Sequence, residues 1–220
     1  MAIAALYPVP LICISVEIKE DPYISDVLQE CISALRESYS EIRNIGAANA
    51  YAAWIGIDSA DACADYYDKL GCFDTGFLGT DILMEVLFKN KYEDVAYKLL
   101  ESRDEGSFLY MKDMGSTTIW ERWKLGSSES HPMFGASCRQ LFEGVLGIRQ
   151  QGGSSAYSKV KISPSLPSGM TYARGSILTP KGRISVSLRR EGNTVACGLV
   201  IPENVECIIE SKDCYRYTYT

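Results

Sequence analysis

A single histidine, His131, serves 220 residues, and the eight cysteines include no Cys-x-x-Cys pair. One imidazole and scattered thiols do not make a zinc site of usual spacing, so no metal and no cofactor are expected. Cys13, Cys31, Cys63, Cys72, Cys138, Cys197, Cys207 and Cys214 read as mostly free, buried thiols. No Asn-x-Ser/Thr sequon occurs, and no apolar run reaches the roughly 20 residues that would span a bilayer, so no membrane partner is expected. Basic residues are outnumbered, 22 Lys and Arg against 28 Asp and Glu, for a formal net charge of -6. No local Lys/Arg stripe offsets that balance, which argues against nucleic acid and other polyanions as partners.

The apolar opening, residues 1–14, lacks the basic n-region and small-x-small cleavage site of a signal peptide, and Pro8 and Pro10 interrupt it. A cytoplasmic location is therefore favoured over secretion, and residues 1–20 stand as an apolar lead without assigned structure. What the chain does contain is 46% hydrophobic and 23% charged residues, enough apolar material for one large or two small domains.

Helical periodicity dominates residues 21–149. Asp21-Pro22 is an N-cap followed by a first-turn proline, and Ile24, Val27, Leu28, Cys31, Ile32 and Leu35 follow at helical spacing. A second, alanine-rich helix begins near Ile45. Asp58-Ser59 caps a third, which carries Cys63, Tyr66, Tyr67 and Leu70 and stops at Gly71. Asp74-Thr75-Gly76 opens a fourth with a stripe of Leu78, Ile82, Leu83, Val86 and Leu87, and a fifth covers about Tyr92 to Ser102. Gly76 and Gly79 are not a phosphate loop, because there is no Gly-Lys-Ser/Thr and no preceding strand. Phe134, Cys138, Leu141, Phe142 and Val145 mark a last amphipathic helix ending at Gly147. The polar, glycine-rich run Gln150–Ser155 reads as a linker. Beyond it, in 156–220, the period changes to two: Ile184, Val186 and Leu188, then Val195, Cys197, Leu199 and Ile201, turn about Glu191-Gly192-Asn193. With short strands at 160–163, 171–178 and 205–209, this predicts a small antiparallel β domain packed on the side of the last helix that bears Leu141 and Val145.

The chain is organised around Gly115-Ser116-Thr117-Thr118-Ile119-Trp120-Glu121-Arg122-Trp123, which sets a carboxylate and a guanidinium between two indoles. Indole faces pack against the C–H faces of pyranose rings, and a carboxylate among them can activate a water. The plainer reading of Trp-Glu-Arg-Trp is one turn of amphipathic helix with a solvated ion pair. His131, in Ser130-His131-Pro132-Met133-Phe134-Gly135-Ala136, is either a hydroxyl-binding group or the start of the helix at Pro132.

These three segments, Asp74–Thr80, Gly115–Trp123 and Ser130–Ala136, resemble in order the bacterial and fungal α-L-rhamnosidases, inverting glycoside hydrolases built from a toroid of helical hairpins and a C-terminal β-sandwich. The resemblance covers about residues 23 to 210. It implies an α+β chain with a partial six-hairpin (α/α) toroid followed by a small antiparallel β-sandwich, acting on a rhamnosylated glycan or glycoside. It also implies Glu121 as general base and His131, Trp120 and Trp123 as substrate-binding residues, converging on one cavity; Arg122 reads as a structural partner for a carboxylate. No segment resembles the family's general acid.

A closed toroid of twelve helices needs on the order of 200 residues, and residues 21–148 hold little more than half of that, so the chain is expected to be a truncated or inactive fragment. Such a fragment would expose an apolar edge at Ile24–Leu35 with Val9–Val16 and self-associate, or bind an upstream fragment, through it. The alternative is a non-catalytic carbohydrate-binding or structural remnant.

Overall fold

The computed structural model describes residues 46–210 and 214–219, with Ser33 and Ala34 as a helical pair before them. The apolar lead, the rest of the first expected helix and the edge expected there lie outside the described residues. Five α-helices follow in order: α1 Gly46–Trp54, α2 Ala60–Leu70, α3 Phe77–Lys89, α4 Glu93–Glu101 and α5 Phe108–Asp113. Among the described residues no helix is long and apolar enough to cross a membrane.

Local chemistry sets the helix ends. The Ser59 hydroxyl accepts from the Ala62 N–H at the start of α2, and Gly71 closes the helix at φ 74, where a side chain would be strained. At α3 the Thr75 and Thr80 hydroxyls share a 2.7 Å hydrogen bond across the first turn. Leu83, Met84 and Leu87 of α3 are fully enclosed. Leu78, expected on that stripe, is instead 62% exposed; it sits in the first turn, where the apolar face has not yet met its neighbours.

Two expected helical stretches are not α-helix. Residues 114–131 form an irregular loop, so Trp-Glu-Arg-Trp is not a helical turn. The last helix is a 3₁₀ segment, Pro132–Cys138, followed by a π turn, Leu141–Val145. The wider turn lets Gly144 lie against the Phe88 ring, where an added Cβ would fall 2.5 Å from it. It also turns Val145 inward while Leu141 stays 39% exposed, so only Val145 makes the expected packing contact.

Seven strands complete the chain: β1 Ile148–Gln150, β2 Lys159–Ile162, β3 Tyr172–Thr179, β4 Gly182–Glu191, β5 Thr194–Val200, β6 Glu206–Ile209 and β7 Tyr215–Tyr219. They form two sheets, β1-β2-β6 and β3-β4-β5-β7. Pairing is antiparallel except where β6 joins β2 and β7 joins β5, both parallel, so the sheets are mixed rather than purely antiparallel. Of Gln150–Ser155, expected as a linker, Gln150 ends β1 and the rest lies in the 151–158 connection of the β1–β2 hairpin, in which Ile148 pairs with Ile162 and both are buried. The β4–β5 turn has Gly192 at φ 62 and Asn193 outside the left-handed region, a type II′ arrangement that matches the twist of the strands it joins.

Ile184, Val186 and Leu188 of β4 and Val195, Cys197 and Leu199 of β5 share one cluster with Leu83, Leu87 and Leu99 of the helices, so helical and sheet regions have one continuous core. Arg190 fastens the connection before β3: its guanidinium donates to the Met170, Leu166 and Pro167 carbonyls. All six described cysteines are free; Cys63 and Cys197 are buried, but Cys138 and Cys214 are exposed, because each follows its local segment and not one common core.

Candidate functional site

The 114–131 loop is cross-bridged by its own backbone. The Glu121 N–H donates to the Ser128 carbonyl at 2.9 Å, and the His131 N–H donates to the Ile119 carbonyl at 2.7 Å. The Ser128 N–H returns a bond of 3.3 Å to Glu121 Oε2. Glu121 and His131, ten residues apart, are thereby held on facing limbs of one loop, and both are half-buried. No ion pair is made by Glu121 or by Arg122 among the described residues, so Arg122 does not act there as the expected carboxylate partner. Nearby Lys124 pairs with Glu105 instead.

The two indoles divide. Trp123 is a packing residue: its ring stacks on Phe73 at 5.3 Å and lies 4.3 Å from Phe134 and 5.2 Å from Phe108. Its N–H donates to the Thr75 carbonyl at 2.6 Å, which ties the motif loop to the turn before α3. That indole is partly buried and packs on the core through these rings. Trp120 is 2% exposed, edge-on to Tyr110, and its Nε1 is buried without a hydrogen-bond partner. His131 packs beside Phe77, and its buried Nε2 is also unpartnered. Buried polar atoms without a partner in the protein are rare, and each is a group able to hydrogen-bond a bound molecule.

A second carboxylate, at the start of the Asp74–Thr80 segment, has tyrosine partners that sequence reasoning did not supply. Asp74 accepts hydrogen bonds from the Tyr66 and Tyr67 hydroxyls, both 2.7 Å, and any side chain at Gly46 would strike this group. Burial, with the bond to Asp74, pushes the Tyr66 hydroxyl up to about 12 and raises that of Tyr67 further. The Tyr66-Tyr67 pair, seven and eight residues before Asp74, was the available signal. A cavity of about 500 Å³ opens elsewhere, between α4 and the connection before β3, lined among others by Tyr97, Glu101, Arg103 and Gly169. None of the four site residues lines it.

Helices leading into two small sheets, with a carboxylate-bearing loop beside an aromatic cluster, are an arrangement shared with part of the solved α-L-rhamnosidases. Residues 58–145 match the bacterial alpha-L-rhamnosidase 6 hairpin glycosidase domain, and residues 147–212 match the bacterial alpha-L-rhamnosidase C-terminal domain. The chain belongs to the α-L-rhamnosidase family. An alpha-L-rhamnosidase of Alteromonas sp. (strain LOR) is 35% identical over 142 residues, which cover 60% of this chain and 15% of that protein. One from Formosa agariphila is 33% identical over 147 residues, covering 62% and 16%. The solved structure of Streptomyces avermitilis alpha-L-rhamnosidase complexed with L-rhamnose superposes with a TM-score of 0.65 at 25% identity, covering 76% of this chain and 18% of that one. The chain thus spans about 15% of the length of the curated relatives it matches.

Proposed function

We propose that this chain supplies the general-base side of an α-L-rhamnosidase site, in which Glu121 takes a proton from the water that attacks the anomeric carbon of a terminal α-L-rhamnosyl residue. Attack from the face opposite the leaving group inverts the configuration, while a protonated carboxyl about 6.5 to 9.5 Å away gives its proton to the departing oxygen. No segment of this chain resembles that acid, so the acid is assigned to a segment other than those present. The observation that carries the reading is the setting of Glu121: half-buried, held by the Ser128 N–H, and placed across the loop from His131. His131 Nε2 and Trp120 Nε1, both lacking partners, are the groups proposed to meet sugar hydroxyls.

The test is hydrolysis of an aryl α-L-rhamnoside alongside calorimetric rhamnose binding, for the chain and for Glu121→Gln. Turnover that falls about 10²–10⁴-fold in the variant with binding retained supports the base role, and release of β-L-rhamnose, read by NMR, supports inversion. Rhamnose binding without turnover in either protein favours the carbohydrate-binding remnant. Absence of both refutes the two readings together.

A further inference from the structure

The register of the four-stranded sheet collects arginines that lie far apart in the chain. Tyr172 pairs with Arg189, Arg174 with Ser187 and Leu178 with Arg183; Arg189 pairs in turn with Ala196, which pairs with Arg216. Directly paired residues project to the same side of a sheet, so Arg174, Arg183, Arg189 and Arg216 share one face. The opposite face carries Ile184, Val186, Leu188, Val195, Cys197 and Leu199 and is buried, which leaves the arginine face to solvent; all four arginines are exposed. Among the described residues none of the four has a carboxylate partner, and Arg183 binds only the Ser176 hydroxyl. The one acid in this register, Glu191, stands at the hairpin end, paired with Thr194. A chain of net charge -6 therefore presents one face on which guanidinium groups outnumber carboxylates four to one.

The floor between the arginines is small and polar. Ser185, Ser187 and Thr218 flank Gly198, where an added Cβ would fall 2.7 Å from the Ser187 oxygen, and Tyr172 sets one aromatic ring at the edge beside Arg189. Arg189 and Arg216 lie two strands apart, about 10 Å between Cα atoms. Planar guanidinium forks at such intervals suit oxyanions repeated along a chain, while hydroxyls and a ring edge suit sugar hydroxyls and pyranose faces.

We infer that this sheet face docks an acidic polysaccharide, holding its carboxylate or sulfate groups with Arg174, Arg189 and Arg216 while Tyr172 packs against a sugar ring. A saccharide, in place of another polyanion, rests on the rhamnosidase reading; the charge pattern itself does not. A single aromatic residue and the absence of lysine from the face weigh against single-stranded nucleic acid, which is gripped by several stacking rings.

The test uses the whole chain in affinity electrophoresis and calorimetry with polygalacturonate, dextran sulfate, neutral dextran and a short DNA duplex. Compared are the unaltered chain, Arg174→Gln/Arg189→Gln/Arg216→Gln, and Arg103→Gln as a control for charge removed elsewhere, with circular dichroism to confirm folding. The expected result is binding to an acidic polysaccharide that weakens with salt, no binding to dextran, a loss of at least about tenfold in the triple variant and little change in the control. If the triple variant melts early, the single substitutions must each weaken binding in the same direction. Equal binding by variant and unaltered chain, no binding to either acidic polysaccharide, tighter binding to the duplex, or a dimer broken by the same substitutions each overturns the proposal. Glu121→Gln should leave this binding unchanged, so failure of the surface and failure of the proposed catalysis are read separately.

Discussion

The motif loop, residues 114–131, and the β4–β5 hairpin are of similar length and are positioned by opposite means. In the hairpin every second residue faces the core, and Ile184, Val186, Leu188, Val195, Cys197 and Leu199 are all 3% exposed or less. Strict alternation fixes both faces at once, since a slip of one residue would bury the other set. The loop has no period. Its path depends on a few bonds to distant groups, chiefly Trp123 to the Thr75 carbonyl and its aromatic neighbours. A periodic segment thus tolerates loss of one member better than an irregular one tolerates loss of its anchor.

The largest effect should fall outside both regions, where the helical part passes into the first sheet. Gly147, at φ 70, lies so close to the 163–164 backbone that an added Cβ would fall 2.2 Å from the Ser163 carbonyl carbon. Gly147→Ala should therefore cost about 4 kcal/mol or more, by urea denaturation, because backbone on both sides must move.

Next comes a direct contest between the regions. Leu199→Ala and Trp123→Ala should each cost about 3 kcal/mol. They should differ in consequence: the Trp123 variant should also raise proteolysis within residues 114–131, whereas the Leu199 variant should leave that loop intact. Equal cleavage in both would break the distinction drawn above.

Alkaline pH should act mainly through the helical side. Hydroxyls raised above their unfolded value of about 10 keep their proton in the fold and lose it on unfolding, so their contribution is complete below that pH and declines as pH rises through about 12. Burial pushes the Cys63 and Cys197 thiols up to about 12 as well, and their contribution begins to fall from about pH 9. Melting temperature should drop from about pH 9 upward, and Tyr67→Phe should flatten the fall above 10.

Gly192→Ala should cost about 1 kcal/mol, since only the left-handed turn and no contact opposes it. Smallest of all, Glu121→Gln should shift stability by no more than about 0.5 kcal/mol, because its side chain receives one hydrogen bond and no ion pair. A large loss there would make Glu121 a structural residue and weaken its proposed chemistry.

Helix ends with their own chemistry, such as Ser59 and Gly71, were legible because caps and left-handed glycines act within a turn of the chain. The strands of the hairpin were legible for the same local reason. The 132–145 segment was not, because its 3₁₀ and π turns answer to Phe88 and to the α3 carboxylates Asp81 and Glu85, which clamp Arg139. Within the motif, residue identities pointed to the family, but nothing in Trp-Glu-Arg-Trp says which indole turns inward. Phe73, Phe108 and Phe134 decide that, from segments before and after it.

Sequence by itself pointed to the family, the helices of residues 46–101 and the alternating strands of the β4–β5 hairpin, since these depend on neighbours within a few positions. Only the tertiary structure decided how those faces combine. Arg174, Arg183, Arg189 and Arg216 form no basic stripe in the chain, yet β3, β4, β5 and β7 bring them onto one solvent face of an acidic protein. Charge on a sheet is assembled across strands, through a register set by the buried side, and a scan along one strand does not contain that direction.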